Sequence, residues 1–238
     1  IMDNTVATAY LVKPLSLGAD IVVNSTSKYI NANSSAISGV ITDGGKFKWD
    51  TEKYPGMKDF KKFGPFAYTA KLRNGLFRNT GACLSPQNAF YNSIGMETLG
   101  LRMERVCDNA KTLAQFFATE YSDIEVNYPG LAGSKWHNIA TEQFGDKFGG
   151  IITIRTGNKK RAFGIIDALK LPLIVSNIGD TKTLVIHPES TLNVHSTQEE
   201  KETAGVFDDL IRISVGIEDI EDLIDDFKQA IESVKDVY

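Results

Sequence analysis

The chain has 238 residues, of which 42% are hydrophobic and 24% charged, and its formal net charge is −4. No apolar run is long enough to span a bilayer, and the short basic clusters at residues 61–62 and 159–161 are outweighed by acidic residues. The sequence therefore predicts a globular protein with neither a membrane span nor a nucleic-acid partner.

The first two predicted strands both end in polar residues. Residues 1–5 read as a strand that ends in the carboxylate of Asp3, and the β-branched run of residues 19–25 reads as a buried strand. A polar loop with Ser25, Ser27 and Lys28 follows the second strand, and ligands of open α/β sheets bind at such strand ends. In a locally extended segment the two serine hydroxyls would share a side, and Lys28 would point elsewhere.

These residues supply three chemical groups that one cofactor requires. Pyridoxal phosphate needs an amine for covalent attachment, hydroxyls for its phosphate, and a carboxylate that keeps its ring nitrogen protonated. Lys28 offers the amine, the two serines offer the hydroxyls, and Asp3 offers the carboxylate. Taken singly, however, Asp3 also fits the cap of a turn, and Lys28 also fits a solvated surface lysine.

The remaining elements predict a change of domain near residue 99. A possible hairpin lies at Asp43-Gly44, and apolar residues recur from Leu99 to Phe117 at alternating steps of four and three, as on one face of a long helix. Beyond it the pattern predicts strands at residues 150–155, 183–186 and 211–215, and helices at residues 160–169 and 220–234. We expect domains at residues 1–99 and 100–238, the second of α/β type.

Motifs at both ends of the chain resemble one known family, the pyridoxal-phosphate-dependent enzymes of Cys/Met metabolism, a cystathionine γ-synthase-like group. The resemblance rests on Asp3-Asn4-Thr5, on Ser25-Thr26-Ser27-Lys28-Tyr29, on the interval of 25 residues between Asp3 and Lys28, and on residues 177–180, 187–191 and 209–218. It implies fold type I, with part of a cofactor-binding large domain that has a mixed sheet, followed by an α/β small domain. By this resemblance Lys28 carries pyridoxal 5'-phosphate, Asp3 pairs with the pyridinium nitrogen, and Ser25 and Ser27 bind the phosphate.

The resemblance also implies a site for the substrate carboxylate. Arg212 lies where the family has an arginine for this carboxylate, and a planar guanidinium suits such a ligand. In its predicted strand Arg212 alternates with apolar residues and so faces the opposite layer. Asn177 falls where part of the family has a serine that helps to hold the same carboxylate.

Residues 43–86 resemble an insertion of one branch of the family, the O-acetylhomoserine sulfhydrylases. That branch implies γ-replacement on O-acetyl-L-homoserine with sulfide or a thiol, which gives homocysteine or methionine and acetate. Two alternatives stay open. One is a γ-lyase acting on methionine or cystathionine, and the other is a catalytically silent fragment or subunit.

Some features depart from the family pattern. Residues 31–33, Asn-Ala-Asn, replace a common Gly-Gly-His, which removes backbone freedom, and Leu192-Asn193 replaces a threonine and a histidine. The half of the large domain that precedes Ile1 in the family is absent, so we expect a C-terminal portion of a subunit whose N-terminal segment is a partner. The family is oligomeric, which implies a homodimer or homotetramer.

The cysteines and histidines suggest no metal site. Cys83 and Cys107 have neither metal-ligand spacing nor a reason to pair, which favours a reducing cytoplasm. His137, His187 and His195 are widely separated, so we expect no zinc. His187, which precedes Pro188, is expected to be structural.

Overall fold

The structure, a computed structural model, describes residues 1–235. The chain divides into two compact units, of which the first is Ile1–Glu97 and the second begins at Thr98. Each unit has its own sheet. The identification of these units with a large and a small domain stays a prediction.

The first unit contains a mixed three-stranded sheet. Its strands are β1 (Met2–Asp3), β2 (Ile21–Ser25) and β3 (Gly39–Asp43), in the order β1-β2-β3. β1 is parallel to β2, with Asp3 opposite Val23, so these two strands end at the same edge of the sheet. β3 is antiparallel to β2. The predicted hairpin at Asp43-Gly44 is wrong, because β3 ends at Asp43 and the Gly44 amide donates to the Asp20 carbonyl at 2.9 Å.

The rest of the first unit is helical in short segments. Between β3 and the last helix of this unit, a 3-10 segment leads through a short α-helix and a π-helical stretch into another short α-helix, which ends at Gly81 in a left-handed conformation. The α-helices are α1 (Thr8–Leu11), α2 (Ala67–Lys71), α3 (Arg78–Thr80) and α4 (Pro86–Glu97), the 3-10 segments are Pro14–Leu17, Pro55–Met57 and Lys61–Phe66, and the π-helical stretch is Leu72–Phe77.

The second unit contains a five-stranded sheet. Its strands are β4 (Glu125–Asn127), β5 (Ile151–Arg155), β6 (Leu173–Ile174), β7 (Leu184–Ile186) and β8 (Leu210–Ser214), in the order β4-β5-β8-β7-β6. β6 and β7 are parallel and the other neighbours are antiparallel. The predicted strands at residues 150–155, 183–186 and 211–215 are confirmed as β5, β7 and β8.

The helices of the second unit are α5 (Leu99–Glu120), α6 (His137–Phe144), α7 (Lys159–Ala168), α8 (Gln198–Thr203) and α9 (Ile220–Ser233). The three predicted helices are confirmed as α5, α7 and α9. The apolar faces of α5 and α9 meet through Phe117 and Phe227, whose ring centroids are 5.2 Å apart. Both rings are fully buried, and burying a side chain of this size contributes about 1.5–3 kcal/mol. Mixed sheets with packed helices confirm the α/β class.

Cys83 is exposed and Cys107 is buried, and both are free thiols. None of the helices within residues 1–235 has the length and apolar character needed to cross a membrane. Over the same residues, no group of three or more His, Cys, Asp or Glu side chains could hold a metal ion.

Candidate active site

Thr5 ties the end of β1 to the end of β2. Its amide and hydroxyl donate to Oδ1 of Asp3 at 2.9 Å and 2.6 Å, and its hydroxyl oxygen accepts the Ser25 amide at 2.8 Å. The bond from the Thr5 hydroxyl, followed by that from the Thr5 amide, lowers the pKa of the Asp3 carboxyl. Asp3 is therefore an ionised carboxylate at neutral pH, at the sheet edge where β2 also ends.

Asn4 fixes the chain immediately after Asp3. Its backbone amide donates to the Val23 carbonyl at 2.8 Å, and its side-chain Nδ2 donates to the Val12 carbonyl at 3.0 Å. The residue is 2% exposed. These two bonds restrict the direction in which the chain leaves β1, and so they help to fix Asp3.

The loop that carries Lys28 turns sharply after β2. The Asn31 amide donates to the Thr26 carbonyl at 2.9 Å, and the Ala32 amide donates to the Lys28 carbonyl at 3.2 Å. Ser25 is the last residue of β2 and the turn begins at Thr26, so the extended conformation considered for residues 25–27 does not continue through Ser27. The Ser27 hydroxyl accepts the Ser38 amide at 2.8 Å and donates to the Ser38 carbonyl at 3.1 Å. Ser27 thus closes the loop, and the half-buried Lys28 follows directly.

A buried polar cluster fixes the base of this loop. The hydroxyls of Thr26 and Ser38 are 2.6 Å apart, and Nδ2 of Asn92 on α4 donates to both, at 3.2 Å and 2.9 Å. Asn92 is 8% exposed, and its Oδ1 has no hydrogen-bond partner among residues 1–235. A network of this kind holds a loop in one conformation, because each lost bond leaves a buried polar group unsatisfied.

A cavity of ≈ 540 Å³ opens beside Asp3 and Ser25. Its size is within the range of pockets that hold small ligands. Thr69 and Arg73, from the segment between β3 and α4, bring polar groups to its wall. The apolar part of the wall includes Val23, Val40, Ile41, Leu72 and Phe77.

The residues around this cavity fit pyridoxal phosphate. The ionised Asp3 can accept the proton of a ring nitrogen, and a charge-assisted bond of this kind is strong. The Ser25 hydroxyl makes no hydrogen bond to any residue of the described chain, so it can donate to a phosphate oxygen. Ser27 can donate to a phosphate only if it gives up the Ser38 carbonyl.

In the second unit, Arg212 on β8 is held by the segment that contains Asn177. Its Nη2 donates to the Ser176 carbonyl at 3.0 Å and to the Asn177 carbonyl at 3.3 Å. Arg212 is half-buried, between the fully buried Ile211 and Ile213. The backbone carbonyls therefore fix the plane of a guanidinium whose geometry suits a carboxylate.

The structure brings Asp3 and Ser25 to one cavity, with Ser27 and Lys28 in the adjoining loop, and it joins Asn177 to Arg212 in the other unit. Sequence reasoning assigned no role to Thr5, although Thr5 belongs to the motif of Asp3. It also missed Asn92, which is far from Lys28 in the chain. Polar residues and a glycine that recur on one face of a helix are a signal that could have indicated Asn92.

Three comparisons with known proteins show what the chain is similar to. The family model described as Cys/Met metabolism PLP-dependent enzyme matches residues 1–232. The chain is 41% identical to the O-acetyl-L-homoserine sulfhydrylase of Corynebacterium glutamicum, over 96% of this chain and 56% of that protein. It is 39% identical to the L-methionine gamma-lyase of Fusobacterium nucleatum subsp. polymorphum, over 98% of this chain and 54% of that protein.

A solved structure is similar over almost the whole chain. It is described as an O-acetylhomoserine (thiol)-lyase from Campylobacter jejuni with a pyridoxyl-lysine monophosphate, and it matches with a TM-score of 0.90 and 35% identity. The match covers 97% of this chain and 58% of that one, so the chain spans little more than half the length of its relatives. The predicted fold is thereby confirmed, and pyridoxal 5'-phosphate is the cofactor. The chain belongs to the family of pyridoxal-phosphate-dependent enzymes of Cys/Met metabolism.

Proposed function

We propose that the protein catalyses γ-replacement on O-acetyl-L-homoserine with sulfide or a thiol, giving homocysteine or methionine and acetate. The observation that carries the site assignment is the Asp3 carboxylate, which two hydrogen bonds from Thr5 keep ionised at a cavity shared with Ser25. The relatives named O-acetyl-L-homoserine sulfhydrylase and homocysteine synthase support the choice of reaction.

The residues of the first unit would hold and assist the cofactor. Pyridoxal phosphate, when bound, supplies an electron sink for the negative charge that develops on the substrate. Asp3 stabilises a proton on the ring nitrogen, because its own carboxyl stays ionised. Ser25 donates its hydroxyl to the phosphate, and Ser27 joins it by exchanging the Ser38 carbonyl for a phosphate oxygen.

Lys28 and Arg212 would act on the amino-acid substrate. Lys28 would hold the cofactor through its side-chain amine, and the same amine, when it is not attached, would take the proton from the substrate α-carbon. A proton would also leave the β-carbon as acetate departs from the γ-carbon. Sulfide or a thiol would then add at the γ-carbon, and the β-carbon and the α-carbon would each regain a proton. Arg212 binds the substrate carboxylate through two parallel N–H groups, with Asn177 beside it.

The variant Lys28→Ala, made in the protein at its natural full length, tests the cofactor assignment. We expect loss of the visible absorbance of the bound cofactor and a fall in turnover of about a thousandfold or more, since both attachment and proton transfer need the amine. Lys46→Ala is the matched control, because Lys46 is exposed and has no hydrogen bond or ion pair with any described residue. A visible spectrum that Lys28→Ala leaves unchanged would show that Lys28 is not the cofactor lysine.

The similarity to L-methionine gamma-lyase supports a second candidate function, γ-elimination. Product analysis with and without sulfide separates the two reactions. A lyase releases 2-oxobutyrate and ammonia in the absence of a thiol, whereas the sulfhydrylase forms its thioether or thiol product only when the sulfur donor is added.

We further propose an oligomeric form in the cytoplasm, a homodimer or homotetramer. The free thiols suit a reducing compartment, and large apolar side chains of the first unit, such as Ile37 and Phe66, are 89% and 71% exposed. Surfaces of this kind commonly pack against further protein. Light scattering combined with cofactor titration tests this, and it would also reveal a silent subunit that associates without gaining a visible band.

A further inference from the structure

The segment that contains Asn177 is fixed along its length to β8 and to the residues that follow β8. Arg212 binds the carbonyls of residues 176 and 177, and the Gly179 amide donates to the Ser214 hydroxyl at 3.0 Å. Farther along, the Ile217 amide donates to the Thr181 carbonyl at 2.9 Å. The two partners of the proposed carboxylate site, Arg212 and Asn177, therefore belong to one hydrogen-bonded assembly.

Glu218 closes this assembly at its far end. One carboxylate oxygen accepts the Thr183 amide, and the other accepts the Thr183 hydroxyl at 2.9 Å. The Thr183 hydroxyl oxygen in turn accepts the Gly216 amide at 2.9 Å. Thr183 is fully buried, and it donates both hydrogen bonds to the carboxylate of Glu218. Hydrogen bonds to a charged acceptor are stronger than hydrogen bonds between neutral groups.

The backbone around Glu218 cannot easily shift to compensate for a lost bond. Nδ2 of Asn109 on α5 donates to the carbonyls of Gly216 and Glu218, at 3.1 Å and 2.9 Å. A β-carbon at Gly216 would overlap the Thr181 carbonyl oxygen and would lie 2.5 Å from Oε2 of Glu218. Glu218 is thus held to α5 by its backbone and to Thr183 by its side chain.

We propose that Glu218, acting through Thr183, is a positioning residue for the substrate carboxylate. It fixes the end of the segment of residues 176–183 and so keeps the Ser176 and Asn177 carbonyls where they orient Arg212. The inference rests on the proposed role of Arg212 as the carboxylate-binding residue. Because carboxylate binding is equal in the ground state and the transition state, disturbing it raises KM more than it lowers kcat.

The experiment compares two ligands that differ at one group, in the cofactor-loaded protein at its natural full length. L-alanine and L-alaninamide are titrated against the visible absorbance of the bound cofactor, and kcat and KM are measured for the substrate. For Glu218→Gln we expect L-alanine binding to weaken about fivefold or more, with L-alaninamide binding within about twofold of the unaltered protein. KM should rise by a similar factor while kcat changes less.

A second pair of variants keeps the proposal testable if Glu218→Gln folds poorly. Thr183→Val removes the hydroxyl at nearly constant shape and should weaken L-alanine selectively, whereas Thr183→Ser keeps the hydroxyl and should restore binding. Asp225→Asn is the matched control, because Asp225 is an exposed carboxylate of α9 without a hydrogen bond to any described residue.

The variant Arg212→Lys tests the proposed role of Arg212 separately from the proposed role of Glu218. If Arg212→Lys weakens L-alanine but not L-alaninamide, and neither Glu218→Gln nor Thr183→Val does so, Glu218 is not a positioning residue although Arg212 is the carboxylate-binding residue. If Arg212→Lys affects both ligands equally, the proposed role of Arg212 itself is wrong. Equal weakening of both ligands by Glu218→Gln would indicate a general structural role and would overturn the inference.

Discussion

Ala32, in the loop that carries Lys28, has a backbone conformation that favours glycine. Its φ is 82°, and Ser34 in the same loop has a φ of 58°. The sequence departs from the family's Gly-Gly pattern here, and the chain keeps a left-handed backbone although the glycine is missing. A residue with a β-carbon pays about 1–2 kcal/mol for this conformation. The loop therefore stores strain next to the residue proposed to carry the cofactor.

The variant Ala32→Gly should relieve this strain and raise the free energy of unfolding by about 1 kcal/mol. The gain is smaller than the full strain because glycine has more conformational freedom in the unfolded chain. Chemical denaturation measures the change. Ala82→Gly, at an exposed loop position without a positive φ, is the control and should be neutral or destabilising. A loss of stability with Ala32→Gly would contradict the strain argument.

Helix α4 holds the Lys28 loop with one face made of polar and small residues. Asn88 donates through Nδ2 to the Ile37 carbonyl at 3.1 Å, Asn92 binds Thr26 and Ser38, and Gly95 lies one turn farther on. A β-carbon at Gly95 would overlap the Ile30 carbonyl oxygen and would lie 2.8 Å from that of Asn31. The absence of a side chain at Gly95 is thus what lets the helix approach the loop.

Gly95→Ala should therefore reverse the usual effect of this substitution in a helix. Alanine normally stabilises a helix by about 1 kcal/mol over glycine, but here the clash is with backbone atoms, and overpacking of this kind costs about 1–3 kcal/mol. We expect lower stability and weaker binding of pyridoxal phosphate, measured by titration of the visible absorbance. Gly75→Ala is the control, since nothing lies within 4 Å of a β-carbon there. Unchanged cofactor affinity in Gly95→Ala would mean that α4 does not fix the loop.

The kind of residue that a helix buries explains which helices the sequence could predict. α5 and α9 bury apolar residues at helical spacing, such as Phe117 and Phe227, so their periodicity is readable. α4 buries Asn92 and Gly95, which carry no hydrophobic signal, and its existence was missed. The strand β3 was missed because its pairing with β2 spans the Lys28 loop, whereas local turn residues indicated a hairpin at Asp43-Gly44.

At the scale of the whole molecule, the candidate site residues could be proposed from the motifs, but the hydrogen bonds that hold them in place could not. Asp3, Ser25 and Lys28 are close in sequence and share a recognisable pattern. The Thr5 bond to the Ser25 amide depends on the parallel pairing of β1 with β2, and the Glu218 bonds to Thr183 join distant parts of the chain. Such contacts depend on tertiary packing, which no local pattern encodes.

The distribution of charge over the whole molecule makes the second unit the acid-sensitive one. The first unit is net basic and the second is net acidic, so the second has more carboxylates to protonate. Among them Glu189 joins two helices, because Lys159 of α7 and Lys201 of α8 each donate to one of its oxygens. Hydrogen bonds from Lys159 and then Lys201 lower the pKa of Glu189 from 4.5 to about 2.

Stability should therefore fall as the pH drops from about 4.5 to about 2, since the unfolded chain binds a proton at Glu189 before the folded one does. Above pH 4.5 the contribution is fully present, and after screening by solvent it is about 1–2 kcal/mol. Glu189→Gln should lower stability at neutral pH and flatten the pH dependence in this window, as measured by denaturation at a series of pH values. Asp225→Asn, at an exposed carboxylate in the interior of α9 without a partner in the described chain, should change neither. If both variants show the same pH profile as the unaltered protein, the Glu189 bridge does not stabilise the second unit.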